Sequence, residues 1–272
     1  MESGPDLNLK KTKLRKYGTR PYNIVVVHGG PGAPGEMKPV AEELSQEEGV
    51  LEPFQSRHSI TGQVQELKNI IREEAKIPVM LIGHSWGAWL SYIFTARNQE
   101  LVKKVILISS GPFQQKYVTQ MNETRDKRMA EEDKKKIKKL EPLLMDPEYK
   151  EKDRDFSEFG KIMSKIDSYN PLPQKDIIIE FQPELFSDIM KEANQLRESE
   201  KLLRMGKNIT CPVVAIHGDY DPHPYSGVKK PLSRVIKDFK FVLLNNCGHS
   251  PWKEKEARDK FYKIIKNEID SV

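Results

Sequence analysis

Between a β-like run, Val79 to Ile82, and a helix-like run, Ala88 to Arg97, stand Gly83-His84-Ser85-Trp86-Gly87. This Gly-x-Ser-x-Gly segment sets a serine on the sharp turn from a strand into a helix. The two glycines lack a Cβ and let the chain turn tightly enough to lift the Ser85 hydroxyl clear of a sheet. A strand feeding directly into a helix is half of a βαβ unit, which commits this part of the chain to a layered α/β architecture. By composition alone a chain of this length matches the pattern by chance about one time in ten. Its meaning therefore rests on what surrounds it.

The surroundings alternate in the same way. Tyr22 to His28 is β-branched and runs into glycines, the pattern of a strand buried on both faces. Glu36 to Glu47 reads as helix and Gly49 to Glu52 as a short strand. Thr61 to Glu74 places Val64, Leu67, Ile70 and Ile71 on one helical stripe, and Val105 to Ser109 is again a strand. From Gln114 to Met205 no β run occurs. Instead there are three helical stripes (Ile137, Leu140, Leu144; Phe156, Phe159, Met163, Ile166; Leu185, Ile189, Ala193, Leu196) punctuated by prolines. Strand-like Val213 to His217, a helix near Val228 to Ile236, strand-like Phe239 to Leu244 and a final helix, Glu254 to Ile269, resume the alternation. The expectation is an α/β fold with a mostly parallel sheet flanked by helices on both faces. Residues 1–113 and 206–272 form its core, and 114–205 a helical insertion between two strands.

Composition narrows the function classes. The 37% hydrophobic and 31% charged residues suit a soluble globular chain. No apolar run approaches the ~18 residues of a membrane span, and Met1 to Lys16 lacks the apolar stretch of a secretory signal. A cytoplasmic location with no membrane partner is expected. The net charge of +5 is modest, and Met121 to Asp155 carries eleven Lys/Arg against eleven Asp/Glu. The lysine run Lys134 to Lys139 thus reads as a solvated helix face and Lys10 to Lys16 as a solvated arm, with no nucleic-acid partner. Cys211 and Cys247 have neither a CxxC nor a Cys/His ligand spacing, so no metal, disulfide framework or cofactor is expected. Cys247 reads as a small buried side chain. The oligomeric state is open.

The chemistry assembles at strand ends. A serine hydroxyl needs a neighbouring base, itself held by a third group, in the order Ser, Asp or Glu, His on such a sheet. After Val213 to His217 comes Gly218-Asp219-Tyr220-Asp221-Pro222, and after Phe239 to Leu244 comes Asn245-Asn246-Cys247-Gly248-His249. His249 is the candidate base, and Asp221, with Asp219 as competitor, the candidate orienter. Oxyanion donors would be the backbone N–H of Trp86 and an N–H from His28-Gly29-Gly30-Pro31-Gly32, with Gly30 preferred. His28 reads as bracing that loop, together with Gly29, Pro31 and Gly32. His84 reads as projecting away from the reacting face.

His-Gly-Gly-Pro-Gly, followed by Gly-x-Ser-Trp-Gly and a late Gly-His, resembles the α/β-hydrolase superfamily, nearest its prolyl aminopeptidase (proline iminopeptidase) branch, over residues 22–113 and 211–270. The resemblance implies a Ser85–Asp221–His249 triad, an oxyanion hole at Gly30 and Trp86, and a substrate-selecting cap at 114–205. Two features depart from that branch. Its Asp-Gln-Arg-Gly-x-Gly-x-Ser stretch is replaced here by Leu51-Glu52-Pro53-Phe54-Gln55-Ser56-Arg57-His58, and the insertion is short and rich in lysine and glutamate. The reading is a serine hydrolase of small esters or amides acting through an acyl-enzyme. An exopeptidase is the alternative, with Glu52, Glu180 and Glu184 as candidates to bind an α-ammonium. A non-catalytic binding protein of the same fold is the second alternative. An aspartate nucleophile, as in dehalogenases and epoxide hydrolases, is disfavoured by Ser85.

Overall fold

The computed structural model describes residues 14–145, 149, 151–173 and 182–271. Lys10 to Lys13 of the basic run, and Glu180, lie outside them. The strands are β1 (Leu14–Tyr17), β2 (Tyr22–Val27), β3 (Gly49–Pro53), β4 (Val79–His84), β5 (Val102–Ile108), β6 (Val213–Gly218) and β7 (Phe239–Leu244). They form one sheet in the order β1-β3-β2-β4-β5-β6-β7, parallel throughout except for β1, which pairs antiparallel with β3.

Around the sheet pack α1 (Lys38–Leu44), α2 (Ile60–Glu74), α3 (Trp86–Arg97), α9 (Ser226–Val235) and α10 (Arg258–Asp270). The central strands explain why both faces need cover. Alternate residues of each strand point to opposite sides of the sheet. Val25, Val27, Leu81, Leu107 and Ala215 therefore join one core with α2 and α3, while Ile24, Val26, Ile82, Ile106 and Ile216 join a second with α1 and α10. Burial on both sides reads in sequence as continuous apolar runs rather than alternation.

Between β5 and β6 run α4 (Val118–Arg128), α5 (Glu131–Met145), α6 (Lys152–Asp167), α7 (Pro183–Glu198) and the short α8 (Lys201–Arg204). Ile137, Ile162 and Ile166 form a small core of their own there, with Phe159 and Met163 against it. Leu185, Ile189 and Ala193 of α7 join the core on the α3 side instead.

Two elements differ from the sequence expectation. Leu14–Tyr17, read as part of a solvated arm, is an edge strand, its register running from Leu14 opposite Pro53 to Tyr17 opposite Val50. Its half-buried ends, Leu14 and Tyr17, and its exposed Arg15 and Lys16 suit a sheet edge, where charge discourages further pairing. Helix α4 has no buried residue, so it lacks the apolar stripe by which a helix is recognised.

Candidate active site

In this strand order the connections after β2 and β4 leave in opposite directions along the sheet, which opens a crevice at the carboxyl ends of those strands. The His28 to Gly32 loop follows β2 and Ser85 follows β4, so both sit at that switch point.

Ser85 carries the turn itself. Its backbone is left-handed (φ 53°, ψ −115°), and its N–H donates to Ile108 O at 3.0 Å. A non-glycine residue held there is strained and persists only because its surroundings fix it. Gly83 and Gly87 do not supply the unusual dihedral. They supply clearance: a Cβ on Gly83 would come within 2.2 Å of Gly87 O, and one on Gly87 within 2.2 Å of Val27 O. The motif is a packing requirement around a strained serine.

His249 follows β7, and its Nδ1 lies 2.8 Å from Asp221 Oδ2 beyond β6. With Nδ1–H donating to the carboxylate, Nε2 is the free ring nitrogen. Asp219 instead accepts from Cys247 N–H at 3.2 Å, so the structure sets Asp221 and not Asp219 against the imidazole. Ser85 and His249 line the same cavity without a hydrogen bond between them; such pairs tighten when the reacting group arrives. Burial raises the pKa of Asp221, but His249, His223 and His217 around it more than offset this and hold it well below the usual carboxylate range. Burial disfavours the His249 imidazolium, and Asp221 overcomes that and raises its pKa.

His223 and His217 were not singled out in the sequence. His223 Nδ1 is 2.8 Å from Asp221 Oδ1, its ring stacks on His249 with centroids 4.5 Å apart, and it lines the cavity. Burial lowers its pKa to about 4, so it is neutral at pH 7. His217 Nε2 lies 3.4 Å from Asp221 Oδ2 and 2.8 Å from His223 O. Asp221, His223 and His249 place ligand-capable atoms within 4.8 Å of one another. Both Nδ1 atoms are taken by Asp221, however, so hydrogen bonding accounts for the cluster. The Asp-Pro-His spacing of 221–223 was the signal available in the sequence.

On the facing loop, Gly30 has φ +106°, a conformation suited to glycine, and lines the cavity. Gly29 N–H donates to Glu36 Oε2 at 2.9 Å, whereas Gly30 N–H has no protein acceptor among the described residues. Trp86 N–H is the first of α3, one of the donors every helix leaves unpaired at its start. His28 accepts from Gln55 N–H at Nε2 (3.3 Å), its Nδ1 sits 2.9 Å from Gly29 O, and burial lowers its pKa to about 4. It braces the loop. Pro31 and Gly32 complete the loop's turn, and Gly32 O accepts from Gln182 N–H at the start of α7.

His84 does more than project away. Its Nδ1 is 3.2 Å from Glu36 Oε2 and its Nε2 is 2.9 Å from His249 O, so it ties the loop after β2 to the loop after β7. Two further carboxylates, absent from the sequence reading, fix the His249 loop. Glu254 accepts from Gly248, Tyr169 and Asn170 N–H groups at 2.8–3.0 Å. Asp167 holds Arg125 through two hydrogen bonds, while its carbonyl accepts from His249 N–H at 2.8 Å.

The cavity, about 310 Å³, is walled by apolar side chains of α3, α4, α6 and α7, with Ser85, Arg125, Arg197, His223 and His249 as its polar side chains. A second lobe of about 270 Å³ shares Gly30, Ser85 and His249 and adds Glu36, Asp167 and Lys253. Of the candidate ammonium binders, Glu52 is buried at the sheet edge against Tyr17 and Glu184 is exposed on α7; neither lines the cavity. Cys247 is sealed in the core and Cys211 is half-buried; both are free thiols whose pKa burial raises.

The chain is similar to proteins of several activities. A proline iminopeptidase of Saccharolobus solfataricus is 24% identical, the match covering 99% of this chain and 95% of that protein. The structure of a thermophilic esterase from Thermogutta terrifontis superposes with TM-score 0.61 at 17% identity, covering 95% of this chain and 92% of that one. The structure of VinJ gives TM-score 0.66 at 17% identity, over 95% and 94%. No described helix is long and apolar enough to cross a membrane. The seven-stranded sheet with a serine at its switch point agrees with the alpha/beta hydrolase fold family, which matches residues 66–256, and the chain belongs to that family.

Proposed function

We propose that the protein is a serine hydrolase of small esters or amides that works through an acyl-enzyme. The observation that carries this is the strained Ser85 on the wall of a cavity shared with His249, whose imidazole is held by the buried Asp221. His249 Nε2 takes the Ser85 proton as Oγ bonds to the substrate carbonyl carbon. The oxyanion receives the N–H groups of Gly30 and Trp86. As the intermediate collapses, the imidazolium returns the proton to the leaving oxygen or nitrogen. His249 then takes a proton from water, whose oxygen attacks the acyl carbon, and Ser85 leaves with that proton. Asp221 keeps the Nδ1–H tautomer and stabilises the imidazolium.

Residues 1–113 and 206–272 act as the catalytic core in this reading, and 114–205 as a cap that selects the substrate. Two free thiols suit a reducing compartment such as the cytoplasm.

The iminopeptidase relative supports an exopeptidase as second reading. Against it, the carboxylates lining the two lobes already have partners: Glu36 holds Gly29 N–H and His84, and Asp167 holds Arg125. That leaves no unpaired carboxylate on the described walls for a substrate ammonium.

A fluorophosphonate probe should label Ser85, and Ser85→Ala should abolish labelling and lower kcat/KM on p-nitrophenyl acetate about 10⁴-fold or more. Activity within a few-fold of wild type in that variant overturns the assignment. Absence of labelling in folded wild-type protein would leave a binding protein of the same fold. Aminoacyl naphthylamides assayed beside short acyl esters separate the two enzyme readings.

A further inference from the structure

Two arginines line the cavity, and their surroundings differ. Arg125 is neutralised: Nε and Nη2 donate to the two oxygens of Asp167 at 3.0 and 2.6 Å. Arg197, on α7, is buried, 7% exposed, yet its hydrogen-bond partners are uncharged. Nε donates to Gln115 Oε1 at 2.9 Å and Nη2 to Asn194 Oδ1 at 2.7 Å. Among the described residues no carboxylate lies within 4.0 Å of its guanidinium, and Nη1 has no protein acceptor. Its guanidinium carbon sits 5.5 Å from the centre of the Trp89 ring, on the helix that begins beside Ser85.

A buried guanidinium without a counter-ion carries a desolvation cost that paired charges avoid. Its place in the last turn of α7 and the Trp89 face compensate part of that cost, but the amides of Gln115 and Asn194 need no cation. What the arrangement does provide is a fixed fork, held by two hydrogen bonds, on the wall of an otherwise apolar cavity. A planar guanidinium of this kind matches a carboxylate. The charge count agrees: Arg125 is offset by Asp167, His249 is paired with Asp221 and His223 is neutral, so Arg197 is the one unpaired positive charge on the described wall of this cavity, which suits a monoanion rather than a phosphate dianion.

We infer that the substrate carries a carboxylate, which seats on Arg197 while the scissile carbonyl lies at Ser85. This rests on the serine-hydrolase reading and adds the substrate class: esters or amides with a free carboxylate on the acyl or the leaving portion. Trp89, Phe186 and Met190 enclose the carbon chain between the two ends.

The test is built on binding, so that it does not depend on turnover. Short ω-hydroxycarboxylates (4-hydroxybutyrate and its longer homologues) are titrated calorimetrically into the Ser85→Ala protein, beside the same compounds with the carboxylate replaced by a primary amide. The best-fitting acid should bind roughly 10- to 100-fold more tightly than its amide, the worth of a charge-assisted hydrogen bond out of water. Arg197→Gln should erase that preference and Arg197→Lys restore part of it. Circular dichroism and thermal melting establish that both variants are folded. Equal binding of acids and amides throughout the series, or a preference that survives Arg197→Gln, overturns the inference. Loss of the serine-hydrolase reading looks different: acids still bind through Arg197, but Ser85→Ala leaves ester hydrolysis intact.

Discussion

Asp221 accepts from two imidazoles and a backbone amide, His223 N–H at 2.9 Å, while buried beneath His249. A carboxylate so surrounded stays ionised, and its main effect is on the base. Because its charge raises the His249 pKa above 6.5, and the neutral imidazole is the active form in the proposed mechanism, kcat/KM should rise with pH through a midpoint above 6.5. Asp221→Asn keeps the shape but removes that charge. The His249 pKa, followed by NMR of the ring protons, should fall in this variant, and kcat should drop about 10⁴-fold. A His249 pKa that does not move would mean that Asp221 is not the group that tunes it. This pair was legible from residue type, order and strand-end position. The residues that tune it were less so: His84 meets the His249 loop only through the sheet register, and His217 and His223, although within four residues of Asp221, carry beyond the Asp-Pro-His spacing no sign of the partner each will meet.

At the scale of elements, the loop bearing His249 is tied to the segment after α6. Glu254 gathers the N–H groups of Gly248, Tyr169 and Asn170 on its two oxygens, and Pro171 forms an isolated bridge with Glu254. Substituting Glu254→Gln puts an NH₂ group where at least one of these amides needs an acceptor. Stability should fall by about 1–3 kcal/mol, since a buried donor left unpaired costs that much. Amide exchange should rise first at Gly248, Tyr169 and Asn170, and under the proposed mechanism kcat should fall by more than KM changes, because the His249 loop and not the substrate pocket is loosened. Uniform exchange across the sheet would instead mark a global effect. The parallel strands and their helices were readable because double burial writes continuous apolar runs. Helix α4 and strand β1 were not, since one buries nothing and the other only half of its short length. Glu254 illustrates the same limit: a carboxylate that caps three amides from distant segments looks, in sequence, like any charged residue at a helix entrance.

Over the whole molecule, buried ionisable groups pull stability in opposite directions with pH. His28 and His223 are held near pKa 4 by burial against an ordinary value of 6.5, and burial lowers His217 as well. Between those values the unfolded chain binds more protons than the folded one, so their contribution is complete above 6.5 and is lost as pH falls toward 4. His249, raised by Asp221, works the other way. So does Glu52, whose pKa burial lifts from 4.5 to about 7 in spite of Tyr17 and Arg15 beside it. In that window the folded protein holds the Glu52 proton more tightly, and its contribution is lost as pH rises toward 7. The lowered histidines outnumber these, so the urea midpoint should fall from about pH 7 to about pH 4.5, by a total on the order of 2–5 kcal/mol. Glu52→Gln removes one opposing group while keeping an acceptor for the Tyr17 hydroxyl. Relative to wild type it should gain stability near pH 8, gain little near pH 4.5, and steepen the pH dependence between them. A parallel displacement of the two curves would mean that Glu52 does not titrate in this range. The comparison matters beyond the sheet edge, because a protein losing stability below pH 6.5 will show an acid limb in activity from unfolding as well as from His249. Melting curves measured across the same buffers as kcat/KM separate the two: an acid limb that belongs to His249 appears while the protein is still folded at the assay temperature, whereas one that belongs to unfolding coincides with the pH at which the melting temperature falls to it.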